Sequence, residues 1–165
     1  MPLVYARHMQ SRYIDGLTIR ALRDGDTETV AALFARLGER SRERRFCGAK
    51  PRLSDLELAT LARVDRDRHV LVGYADGDSQ PVGIARLVRD GDSAEIAFAV
   101  ADDYQSRGIG SILASELAAD ARAAGITQLT ATVCGDNPRV IALIERLGSL
   151  DVSWQGRERA LVVGL

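Results

Sequence analysis

Residues 94–117, AEIAFAVADDYQSRGIGSILASEL, pass from one hydrophobic period to another within a dozen positions. Ile96, Phe98 and Val100 alternate with Glu95, Ala97 and Ala99, so the first part reads as a strand with two distinct faces. Ile109, Ile112, Leu113 and Leu117 recur at helical spacing. Gly108 and Gly110 fall where the strand must hand over to the helix. A chain built around such a handover is an α/β chain, and the loop in question opens at the carboxyl end of its strand.

A helix start leaves several backbone N–H groups without intrahelical partners. They sit at the positive end of the helix dipole. Glycines there let a ligand approach the backbone itself. Residues 105–111 (Gln105, Ser106, Arg107, Gly108, Ile109, Gly110 and Ser111) therefore make a candidate anion cradle, with phosphate as its natural occupant. A tight turn needed only for packing is the competing explanation. The run lacks the G-K-[ST] ending of a P-loop, and it lacks the third glycine and early βαβ unit of a dinucleotide fingerprint.

The rest of the chain supplies the frame. LTIRAL (17–22) predicts a strand. Asp26 caps a helix with Val30, Leu33, Phe34 and Leu37 on one stripe. RSRERRFCGAKP reads as a charged connector with one helical turn. Ser54 and Glu57 have capping-box spacing, flanked by Leu53 and Leu58 as a staple, for a helix running to about Val64. Strands are predicted at 69–74, 82–89 and 94–100, a helix from the glycine loop to about 124, and a strand at 128–133. Asn137 caps a helix to Leu147 with Pro138 in first position. Two short strands close the chain, near 150–154 and 160–163. The expected class is α/β: a mixed, mostly antiparallel twisted sheet of about seven strands with about four helices, in one domain over 17–165 behind an N-terminal arm at 1–16.

Composition excludes several functions. Formal net charge is −1 across 165 residues, with arginine interleaved among acids, which argues against nucleic acid as a partner. No apolar run approaches the ~20 residues that span a bilayer, so no membrane partner is expected. His8 and His69 are the only histidines, so a histidine-rich metal site is ruled out and no metal is expected. Cys47 and Cys134 are far apart in sequence and lack ligand spacing. A disulfide is not expected, and a cytoplasmic setting is.

Gln105-Ser106-Arg107-Gly108-Ile109-Gly110 resembles the Q/R-x-x-G-x-G/A signature of the GNAT superfamily of N-acetyltransferases. LTIRAL followed by GD is similar to that family's first strand and turn, and NPRVIALIERLG to its second motif. SRERRF, PRLSDLELATLARVDRDRHVLVGYADG and PVGIARLVRDGDSAEIAFAVADDYQSRGIGS are similar to the catalytic domains of bacterial protein-lysine acetyltransferases.

The resemblance implies transfer of an acetyl group from acetyl-CoA, as cosubstrate, to a primary amine. The acceptor would be a protein lysine or, within the same class, a small-molecule amine; a non-catalytic acyl-CoA-binding module is the alternative. The glycine loop would hold the CoA pyrophosphate. The strand at 94–100 would splay from the strand at 128–133, and the pantetheine arm would pair with backbone near Phe98, Ala99 and Val100. Asn137 would touch the arm.

Glu95 aligns with the glutamate that serves as general base in the lysine-acetylating relatives. Neutralising a lysine of pKa about 10.4 at pH 7 costs roughly 4–5 kcal/mol, which is the work such a base does. Many family members carry a tyrosine seven residues after the Asn137 position as general acid; here Ile144 stands there. Homodimers are common in the family.

Overall fold

The computed structural model describes residues 10–165. His8 lies outside the described residues, as does most of the stretch read as an arm. One eight-stranded sheet organises the chain, in the spatial order β1-β2-β3-β4-β5-β6-β8-β7. The strands are β1 (Arg12–Ile14), β2 (Leu17–Ala21), β3 (Arg68–Ala75), β4 (Gly83–Asp90), β5 (Ser93–Val100), β6 (Gln128–Cys134), β7 (Ser149–Gln155) and β8 (Glu158–Gly164). Every neighbouring pair is antiparallel except β5–β6, which is parallel.

Five α-helices flank the sheet among the described residues: α1 (Thr27–Ala35), α2 (Glu39–Phe46), α3 (Asp55–Leu61), α4 (Ile109–Ala123) and α5 (Pro138–Glu145). Two elements go beyond the sequence reading. β1 falls inside the stretch read as an arm, joined to β2 through Asp15 and Gly16 at φ 49° and 83°. Positive φ at both central residues is what a two-residue hairpin turn requires. The charged connector forms α2, a helix of eight residues rather than one turn. Phe46 meets the Phe34 ring edge-on at 5.9 Å. Arg42 lies over that same ring at 4.1 Å while donating to the carbonyls of Phe34 and Pro51.

The two sheet faces carry separate cores. α4 and α5 cover one, burying Leu71, Leu87, Ile96, Leu113, Leu117, Leu129 and Ile144. Leu22, Val30, Ala62, Val70 and Val72 pack on the other beneath α1 and α3. The capping box of α3 forms in both directions: the Glu57 N–H donates to Ser54 Oγ, and the Ser54 N–H donates to the Glu57 carboxylate. His69, 2% exposed, bonds through Nε2 to Asp120 at 2.9 Å under α4, and Arg12 reaches the same carboxylate from β1. His69 is thus part of a buried polar cluster that ties β1, β3 and α4 together.

The cysteines correct the sequence reading. Cys47 and Cys134 form a disulfide, with Cα atoms 5.4 Å apart. Cys47 ends α2 in a left-handed conformation, and Cys134 ends β6. α2 lies across the carboxyl ends of β5 and β6, so the fold joins two positions that are 87 residues apart in the chain.

Candidate active site

The site begins where two strands part. β5 and β6 pair only over Ser93–Gln128, Ala94–Leu129 and Glu95–Thr130, and then diverge. Beyond that fork, β5 stays bonded to β4 as far as Val100. The Ala101 N–H donates to the Val82 carbonyl, which fixes the parity of that ladder. Phe98 and Val100 consequently turn their peptide groups into the gap, whereas Ala99 spends its own on Ile84 and lines the gap with its methyl. Of the Phe98–Val100 stretch, two residues offer backbone and one offers shape.

A cleft of about 670 Å³ occupies the gap. Its walls are β5, the β6 residues Ala131–Val133, α5 from Asn137 to Ile144, and the α2 residues Ser41, Arg44, Arg45 and Phe46. Glu95 stands at the fork, exposed to the cleft. The glycine loop closes the opposite end, with Gln105, Ser106, Gly108, Ile109, Gly110 and Ser111 in the lining. All the sequence-predicted site residues except Arg107 therefore line one cavity.

The loop is shaped as a cradle. Ser106 and Gly108 take left-handed φ values of 63° and 81° on either side of Arg107. For serine that conformation costs on the order of 1–3 kcal/mol, and such strain is found where a loop binds something. Among the described residues, no backbone N–H from 106 to 111 donates to a backbone acceptor; the first that does is Ile112, to the Gly108 carbonyl. The amides of this helix N-terminus therefore suit an anion. Arg139 of α5 donates to Ser106 Oγ at 2.9 Å, adding a guanidinium at the rim. A Cβ on Gly110 would come within 3.2 Å of Leu143 Cδ1, so glycine there keeps α4 and α5 close. A Cβ on Gly108 would meet no protein atom within 4 Å.

A side chain at Gly108 therefore tests ligand binding without a clash against the protein. Gly108→Leu is expected to weaken CoA affinity at least about tenfold in calorimetry, because the added chain fills space only a ligand would use. The fold should persist, losing about 1–2 kcal/mol to the left-handed backbone. Unchanged affinity would take the cradle assignment away.

Several polar residues beside the cleft are already engaged. The Gln105 amide donates to the Val100 carbonyl and to Ser41 Oγ, at 3.1 and 3.0 Å, so it pins the loop to both β5 and α2. The Ser41 hydroxyl in turn donates to Asp102. Asn137 Oδ1 accepts from the Val140 N–H and caps α5. Arg107 stacks over the Tyr104 ring at 4.8 Å. Tyr104 donates its hydroxyl to Asp78, which also pairs with Arg36 at 2.9 Å.

The Gln80 N–H, Arg36 and Tyr104 together hold the Asp78 carboxyl down at about 2. A depressed carboxyl stabilises the fold above its unfolded pKa, near 4, and that contribution disappears as pH falls through about 2. The Tyr104 anchor is therefore expected to hold at neutral pH and loosen between about pH 4 and 2. An acid titration of Tyr104 resonances that flatten only below pH 4 would match; a midpoint near 6 would not.

Sequence comparison fits this geometry. The profile of the acetyltransferase (GNAT) family matches residues 33–149. The chain belongs to that family, whose members take the acetyl group from acetyl-CoA. It is 34% identical over 147 residues to Acetyltransferase Pat of Mycolicibacterium smegmatis, covering 86% of this chain and 44% of that protein. It is 32% identical over 116 residues to Acetyltransferase PA5475 of Pseudomonas aeruginosa, covering 67% and 62%. The chain thus spans about half the length of these curated relatives. Among solved structures it resembles the GNAT domain of S. lividans PAT, with a TM-score of 0.81 at 27% identity and 90% of each chain covered.

Proposed function

We propose that this chain transfers an acetyl group from acetyl-CoA to the side-chain amine of a protein lysine, with Glu95 as general base. The observation that carries the reading is the fork. It puts one carboxylate at the apex of a gap whose far end is a cradle of unpaired amides. Five residues of β5 separate Glu95 from Val100, roughly 17 Å at a strand's rise, a span suited to an extended pantetheine arm. Phe98 presents its N–H and carbonyl along that path and Val100 its N–H, the Val100 carbonyl being held by Gln105; these groups orient the arm and polarise the acyl oxygen. A pyrophosphate fits the amides of 106–111.

In this reading Glu95 accepts the proton that the attacking ammonium must shed, directly or through a water. No tyrosine stands at the usual acid's position: Ile144 is there, 1% exposed and packed in the core. The Tyr104 hydroxyl is committed to Asp78. A cysteine thiol has a pKa of about 8.5, and thiols in general are far stronger acids than alcohols, so a departing thiolate is stable enough to leave first and take its proton from water. Isoleucine at this position is compatible with turnover. The similarity to Pat supports a protein acceptor.

Incubation with acetyl-CoA and a panel of proteins and small amines, following released thiol, tests the reading. Thiol release that depends on protein lysines is expected. Turnover only with small amines would redirect the acceptor. CoA binding without transfer to any acceptor would leave a non-catalytic acyl-CoA module.

A further inference from the structure

A second cleft of roughly 350 Å³ opens on the other side of Glu95, toward α3. It shares Arg45, Phe46, Glu95, Ile96 and Ala97 with the first cleft, so the two meet at the carboxylate. Leu56, Glu57, Thr60, Leu61, Arg86 and Val88 complete its walls. An acceptor that enters here reaches Glu95 without crossing the cradle.

The charge balance of this cleft is unusual for a site that must receive a cation. The β4–β5 register sets Val88 opposite Glu95 and Arg86 opposite Ala97, so Arg86 and Glu95 share one face of the sheet. Arg45 approaches the same place from α2. Among the described residues, neither arginine forms an ion pair. Arg86 donates one weak bond to the Thr60 carbonyl, and its buried Nε has no partner. The lining's other carboxylate, Glu57, is occupied by Lys50 and by the cap of α3. Arg45 lies over the Phe46 ring at 4.9 Å, so two guanidiniums without ion pairs face the Glu95 carboxylate in this cleft. Burial chiefly, then repulsion from Arg86, push the Arg45 guanidinium down to about 10 against the opposing pull of Glu95.

We infer that Arg45 and Arg86 form a carboxylate clamp that selects acceptors whose amine lies beside an acidic group. A bare ammonium brings a third positive charge to Glu95's neighbourhood. An amine accompanied by its own carboxylate neutralises the excess and gives the guanidiniums the planar acceptor their geometry matches. The carboxylate can come from an acidic residue flanking a lysine or from the α-carboxylate of a free amino acid. The inference rests on the reading of Glu95 as base, and it adds a substrate class to that reading.

The test uses two peptides identical except for glutamate or glutamine next to the lysine, with free alanine and its α-amide as the second pair. Thiol release gives kcat/KM, and anisotropy of labelled peptide without acetyl-CoA gives affinity. The acidic member of at least one pair is expected to lead by about tenfold or more, and the leading pair identifies the source. Arg86→Gln should bring that ratio to within about twofold of one, whereas Arg86→Lys, which keeps the charge without the planar fork, retains only part of it. Glu95→Gln should slow both members of a pair in proportion and leave the ratio standing.

Equal use of acidic and neutral acceptors by the wild type overturns the clamp while leaving the transferase reading intact. So does an Arg86→Gln variant that keeps the full ratio. Selective binding of the acidic peptide with no transfer does the reverse.

Discussion

Glu95→Gln is expected to lower kcat/KM for acetyl transfer by at least ~10²-fold at pH 7, with CoA affinity within about twofold of wild type. The substitution keeps size and hydrogen-bonding capacity and removes only basicity. Glu95 stands at the fork of β5 and β6, away from the cradle, so the ligand's anchor is left alone. The deficit has a pH signature. Each unit of pH toward the acceptor's own pKa removes up to ~1.4 kcal/mol from the cost of making the amine neutral. The gap between variant and wild type should therefore narrow as pH rises from 7 toward 9.5. A deficit that stays constant over that interval would point to a structural effect of the substitution, and an unchanged rate at pH 7 would remove Glu95 from the chemistry.

The position of the glycine loop between β5 and α4 is legible because its signals are local. The change of hydrophobic period across 94–117 sets the strand-to-helix handover, and the structure shows it at Val100 and Ile109. Ser54 and Glu57 lie within one turn of each other, so their mutual caps follow from spacing alone. β1 was equally available. Asp15-Gly16 between Tyr13-Ile14 and Leu17-Thr18 is a two-residue hairpin signal, hidden only by reading the segment as an arm.

α2 is a different case. ERSRERRF has no apolar stripe, and its helix rests on Phe46 and Arg42 packing against Phe34, a contact that local periodicity does not encode. Arg45 and Arg86 were missed for the same reason. An arginine in a charged run reads as solvated surface until the β4–β5 register and the placement of α2 bring both to Glu95. What the sequence withheld was long-range: which charges meet, and which cysteines.

Breaking the Cys47–Cys134 bond is expected to cost about 2–4 kcal/mol of folding stability. The bond closes a loop of 87 residues in a chain whose described residues hold no free cysteine. The chain-entropy figure for a loop of that length reaches about 4–5 kcal/mol, and measured effects generally fall below it. For a domain of this size the loss corresponds to roughly 5–15 °C in melting temperature. Cys47→Ser and Cys134→Ser should each produce the full effect, the double variant should add nothing, and dithiothreitol should lower wild type alone to the same level.

Alkylation of the purified protein under denaturing conditions, before and after reduction, reports how much of the bond is present. A wild type whose stability ignores reductant would mean that the two thiols are neighbours and not a cross-link. The α2 wall of the cleft would then rest on the Phe34 contact and on Gln105's bond to Ser41.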